Sequence, residues 1–215
     1  MFAQHQLTLH QLACQRGDNT LFAGLSLAVQ SGEMVQLVGH NGIGKTSLLR
    51  IIAGLSQPLQ GRVLFDGTPI GQQRESYLTH LLYIGHHAGL KMQLSPWDNL
   101  RFYQRVSPCV QAESAVLDAL YRVGLMGLED TALFQLSAGQ QKRVALARLY
   151  LSQAPIWLLD EPFTAIDTQG QLDLTALFEQ HCQRGGIVML TSHQAVNSPL
   201  LKRLDLSEFQ CEEAL

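Results

Sequence analysis

Lys45 and Thr46 close the run Gly39-His-Asn-Gly-Ile-Gly-Lys-Thr, which fits the GxxxxGK[ST] spacing. Its chemistry is the cradling of a phosphate chain. Glycines let successive backbone N–H groups close round an anion, and a helix that begins just after them adds the positive end of its dipole. On this reading Gly39, His40, Asn41, Gly42, Ile43, Gly44 and Ser47 line a nucleotide. Lys45 reaches the terminal phosphates and Thr46 offers its hydroxyl to Mg²⁺. A glycine-rich turn before a surface lysine would give the same letters. The context favours phosphate, because the run follows the apolar stretch Met34 to Val38, which has the character of a buried strand, and opens a helical pattern from Lys45 to Ala53.

A second constellation is Asp160-Glu161, two carboxylates at the end of the apolar run Ile156-Trp-Leu-Leu. Ligands of open α/β sheets gather at the carboxyl ends of strands. There Asp160 is placed to hold the Mg²⁺ shell. Glu161, one residue on and facing the other way, is placed to orient and polarise an attacking water, since phosphoryl transfer needs positioning and charge neutralisation more than covalent help. Taken alone, an acidic cap before Pro162 explains the pair equally well. Leu136-Ser-Ala-Gly-Gln-Gln is a third candidate, a hydroxyl and a small backbone at a helix start, suited to an incoming anion; its plainer reading is Ser137 as an N-cap.

These residues need a framework that brings strand ends together. Short apolar strands at 81 to 84, 156 to 159 and 187 to 190 alternate with helical patterns, which predicts a mainly parallel sheet covered on both faces. Strands at 7 to 13 and 24 to 29 precede it. Helices are expected from Pro96 to Tyr103, Ala112 to Val123 and Ala138 to Leu151.

The 215 residues suit one domain, and 46% hydrophobic with 15% charged residues is an ordinary globular composition. A net charge of -3 gives no basic footprint, so no nucleic-acid partner is expected. Cys14, Cys109, Cys182 and Cys211 are scattered, which suggests a reducing compartment rather than a zinc site or disulfide frame. No run of about 18 apolar residues occurs, so any membrane link is expected through a partner.

In order, Gly39 to Thr46, Leu136 to Gln141, Leu158 to Glu161, Thr164-Ala-Ile-Asp167 and His193 resemble the ATP-binding cassette (ABC) ATPases over nearly the whole chain. The resemblance implies an α/β P-loop NTPase fold with a mainly parallel core sheet, an N-terminal antiparallel β part and a helical subdomain, roughly 86–150, inserted in a single domain spanning 1–215. It implies ATP and Mg²⁺ as ligands, Glu161 as the catalytic carboxylate, and His193 and Lys45 at the γ phosphate. Ser137, Gly139 and Gln140 would close on the nucleotide held by a second copy, making a homodimer part of the mechanism.

More narrowly, Tyr83-Ile-Gly-His86 and Asp160-Glu-Pro-Phe-Thr-Ala-Ile-Asp167 look like the ATPase subunit of the cytochrome c biogenesis haem exporters. That resemblance implies integral membrane partners, a site on the cytoplasmic face of a bacterial inner membrane, and an indirect link to haem or a haem carrier.

Two positions depart from the ABC pattern. Where a metal-contacting glutamine is usual, His86 or His87 stands instead, His86 being favoured by counting back from Asn99. Arg16 stands near the usual adenine-stacking aromatic, and its guanidinium plane can stack on a base. The segment from Trp97 to Leu125 is the expected docking surface for a membrane partner, with Gln93, Ser95 and Trp97 as contacts. An ABC exporter for another substrate and a nucleotide-gated ABC protein outside transport are the competing readings. A P-loop kinase or small GTPase predicts no Leu-Ser-Ala-Gly-Gln segment.

Overall fold

In the computed structural model of the chain, residues 1–86, 89–106 and 111–210 are described; His87, Cys109 and Cys211 lie outside them. In chain order the elements are β1 (Gln6–Arg16), β2 (Asn19–Gln30), β3 (Met34–Val38), α1 (Lys45–Ile52), β4 (Gln60–Phe65), β5 (Thr68–Pro69), α2 (Arg74–Thr79), β6 (Leu81–Ile84), α3 (Pro96–Val106), α4 (Glu113–Arg122), α5 (Ala138–Leu151), β7 (Ile156–Leu159), α6 (Thr168–Gln183), β8 (Ile187–Thr191) and β9 (Leu201–Asp205).

One sheet is antiparallel, in the order β2-β1-β4-β5, and the other is parallel, in the order β6-β7-β8-β3-β9. The parallel strands are short and apolar because both faces are covered. Along each, alternate side chains enter different cores. Val35, Leu37, Ile156, Leu158, Ile187 and Met189 join the core shared with α1 and the antiparallel sheet. Met34, Trp157, Leu159, Val188 and Leu190 join the opposite one, packed on Leu174 and Phe178 of α6. A third cluster, with Leu100, Val116, Leu120, Val144 and Ala147, ties α3, α4 and α5 together.

The parallel core sheet, antiparallel N-terminal part and helices expected from the sequence are all present. The strand β9 and the helix α2 were not expected. β9 is a sheet edge whose Lys202 and Arg203 are exposed, so it lacks the apolar run that betrays a buried strand. α2 spans six residues, too few to display a helical period. Ser95, expected at a partner surface, is buried instead: its hydroxyl accepts from Asp98 N at 3.1 Å and so caps the start of α3. Gln93 is exposed and Trp97 half-buried.

Candidate nucleotide site

The chemistry-bearing residues converge at the carboxyl ends of β3, β6, β7 and β8, the end of a parallel sheet where crevices open. β3 delivers the loop 39–46. Gly44 has φ +111°, which favours glycine, and a Cβ there would also crowd the Phe22 ring at 3.1 Å. Gly44 is also the cap of α1 and supplies no side-chain hydrogen bond, which leaves the first amides of the helix to an anion. Lys45 folds over the loop, its Nζ donating to Gly39 O at 2.7 Å and His40 O at 3.0 Å. Ile43, expected among the nucleotide contacts, has its side chain in the core, 1% exposed, so that only its backbone faces the loop. His40 is exposed and turns away, its Nδ1 on Asn41 O and its Nε2 against Gln210.

β7 delivers Asp160, which is 3% exposed and fully engaged. Thr46 Oγ1 donates to its Oδ2 at 2.9 Å, and Thr191 Oγ1 donates to its Oδ1 at 2.7 Å. The same Thr191 oxygen accepts from Glu161 N at 2.8 Å. Glu161 has φ +50°, a left-handed conformation that is uncommon for a residue with a side chain and clusters at functional sites. This turn swings its carboxylate towards β8, where Oε2 accepts from His193 N at 3.3 Å and Oε1 lies 3.5 Å from His193 Nε2. From α5, Lys142 Nζ donates to Asp160 O at 3.4 Å; burial holds this amine below the usual lysine range, against the opposing pull of Asp160 and Glu161.

A cavity of about 240 Å³ collects most of the expected set: Arg16, Asn41, Gly42, Gly44, Lys45, Thr46, Ser47, His86, Asp160, Glu161 and His193, with Leu21. Ser137, Gly139 and Gln140 do not line it. They sit at the start of α5 in a reciprocal capping box, Gln140 N donating to Ser137 Oγ and Ser137 N to Gln140 Oε1. Gly139 packs against the segment after Glu161, where a Cβ would crowd Ala165 O at 3.1 Å. Asp167 then caps α6 through Gly170 N and pairs with Arg143.

The sequence reading missed Thr191 and Lys142, which bond to Asp160 and Glu161. Thr191 stands two places before His193, so proximity in sequence was a signal. Lys142 gave none, because its partner is remote in the chain.

A phosphate loop of this kind implies Mg²⁺. The Thr46 hydroxyl and the Asp160 carboxylate, in direct contact, are a hard-oxygen pair of the kind that would hold this ion. The His86 imidazole lines the same cavity.

Residues 22–164 match the protein family described as ABC transporter. With the phosphate loop, the Asp160-Glu161 pair and the two-sheet fold in place, the chain belongs to that family, as one of its ATP-hydrolysing cassettes. Within it, the chain is 57% identical over 212 residues to the cytochrome c biogenesis ATP-binding export protein CcmA of Haemophilus influenzae, covering 99% of this chain and 100% of the relative. It is 49% identical over 204 residues to the protein of the same name from Escherichia coli K12, covering 94% of this chain and 97% of the relative. Among solved structures, an ABC transporter ATP-binding protein from Pyrococcus furiosus superposes with a TM-score of 0.83 at 25% identity, covering 96% of this chain and all of that one.

Proposed function

We propose that this cassette powers haem export, or the release of a haem carrier, in cytochrome c biogenesis, as a homodimer seated beneath membrane-spanning subunits on the cytoplasmic face of a bacterial inner membrane. The observation that carries the substrate reading is the 57% identity, over 99% of the chain, to a cytochrome c biogenesis export protein. Membrane subunits must be separate chains on this reading. In keeping with that, no helix among the described residues is long and apolar enough to cross a membrane.

The proposed mechanism assigns each group a task that its surroundings favour. The amides opening α1 and the Lys45 ammonium hold the β and γ phosphates of ATP. Thr46 and Asp160 hold Mg²⁺, which neutralises charge on the phosphates when bound. Arg16 faces the base and His86 the metal shell. Glu161, turned away from Asp160 by its left-handed backbone, orients and polarises the attacking water. His193 carries the γ phosphate and keeps the Glu161 carboxylate in line. Ser137, Gly139 and Gln140 lie outside the cavity because they belong to the site of the second copy, which closes when ATP binds and opens after hydrolysis.

Deleting the gene in its host and staining membrane and periplasmic proteins for covalently bound haem tests this reading. Loss of c-type cytochromes, restored by the wild-type gene and not by Lys45→Ala, is the expected result. Unchanged staining overturns the haem reading and leaves the ATPase in place.

A further inference from the structure

We infer that Gln36, in the middle of β3, is a positioning residue for hydrolysis that fixes the loop carrying His193. A glutamine is out of place there. β3 is an interior strand of the parallel sheet, its neighbours Met34, Val35 and Leu37 are at most 2% exposed, and Gln36 itself is 4% exposed. Its Nε2 donates to Ser192 O at 3.2 Å and lies 3.5 Å from Gln194 O, so one amide group grips the backbone on both sides of His193.

The orientation of the amide follows from its partners. Two carbonyl oxygens demand a donor, which puts Nε2 against them and leaves Oε1 on the other side. That oxygen is buried and has no hydrogen-bond partner among the described residues. A half-satisfied buried amide weakens a core, and an aliphatic residue of the same length would serve packing better. Holding the loop is what the glutamine offers in return.

The grip acts at the reacting centre through a short chain. The Ser192 hydroxyl and Gln194 backbone lock to each other, Gln194 N donating to Ser192 Oγ at 2.9 Å. Between them His193 presents its backbone N–H to Glu161 Oε2 at 3.3 Å and its ring to Glu161 Oε1 at 3.5 Å. β3 also ends in the phosphate loop, and Gln36 stands three residues before Gly39. One strand therefore carries the phosphate cradle and fixes the histidine opposite it, so that a shift of either moves the other.

This inference rests on the reading of His193 as the group that contacts the γ phosphate and aligns Glu161. Gln36→Met removes the donor and keeps the length. In the full chain within its membrane complex, kcat for ATP should fall at least about tenfold, because a misplacement of about 1 Å at a reacting centre costs up to on the order of 100-fold. KM should stay within twofold, since the Gln36 side chain does not line the cavity, and the fold should be retained, because removal of the orphaned Oε1 offsets part of the loss of a donor to Ser192 O. In a His193→Ala background the same substitution should cost nothing further. Gln36→Leu, which also lacks a donor for either carbonyl, should repeat the loss of kcat.

Wild-type kcat in Gln36→Met alongside lost turnover in His193→Ala overturns the inference alone. Wild-type turnover in His193→Ala overturns the histidine reading and the inference with it. Unfolding of both Gln36 variants would make the residue a part of the core and nothing more, and the inference falls.

Discussion

Thr191 Oγ1 lies 2.7 Å from Asp160 Oδ1 and 2.8 Å from Glu161 N, so a single hydroxyl on a residue 0% exposed orients the Asp160 carboxylate and pins the Glu161 backbone. It spends its one proton on Asp160 and one lone pair on Glu161. The two acidic residues thus take separate directions from a shared anchor on the neighbouring strand β8. Thr191→Val keeps the shape and removes both bonds. Turnover should drop about tenfold or more, with a stability loss of about 1–3 kcal/mol from the unpaired groups. Steady-state hydrolysis and urea unfolding check both parts.

Ser137 has two candidate roles, helix cap and anion contact, and charge separates them. Aspartate caps a helix as well as serine does. It also sets a negative charge where the phosphate of a partner-held nucleotide would arrive. Ser137→Asp should therefore keep the melting temperature while ATP-dependent dimerisation and hydrolysis are lost. Normal hydrolysis in this variant would reduce Ser137 to a cap.

Gly44→Ala should cripple nucleotide binding, because φ +111° and the Phe22 ring at 3.1 Å both resist a Cβ. Left-handed strain alone is worth about 1–3 kcal/mol. Gly67→Ala supplies the control, since its φ is +79° with open space around the added carbon. Titration with a fluorescent ATP analogue should show affinity lost in the first variant and kept in the second, with the control paying in stability alone.

His181 predicts a pH dependence of folding. The imidazole is 4% exposed, stacks on Trp157 at 3.7 Å between ring centroids and has Nε2 on Pro155 O. Burial pushes its pKa down from 6.5 to about 4. The unfolded chain therefore takes up a proton first as pH falls. Stability is full above about pH 6.5, declines below it and levels off near pH 4. The loss over this window is on the order of 3 kcal/mol. His181→Gln, which retains a donor for the carbonyl, should flatten that limb in urea titrations at stepped pH.

What the sequence disclosed depended on whether a function is written in contiguous residues. Gly39 to Thr46 and Asp160-Glu161 were legible because a loop and a strand end each carry their chemistry in a few adjacent positions, flanked by apolar runs that betray the sheet. Thr191, Lys142 and Gln36 act on groups brought near by strand order, and no local period records strand order. Gln36 read as one more member of the run Met34 to Val38. The left-handed turn at Glu161 was equally hidden, since a glutamate carries no mark of positive φ. β9 escaped because an edge strand needs no continuous apolar face.

On the proposed mechanism Glu161 drives water onto the γ phosphate in an ATP-closed dimer. The most direct test is Glu161→Gln purified with Mg²⁺ and ATP, followed by light scattering and phosphate release. The expected result is a stable dimer holding ATP, with hydrolysis lost. A monomer turning over ATP at the wild-type rate would contradict the assignment and move the search for the water-activating group elsewhere in the cavity.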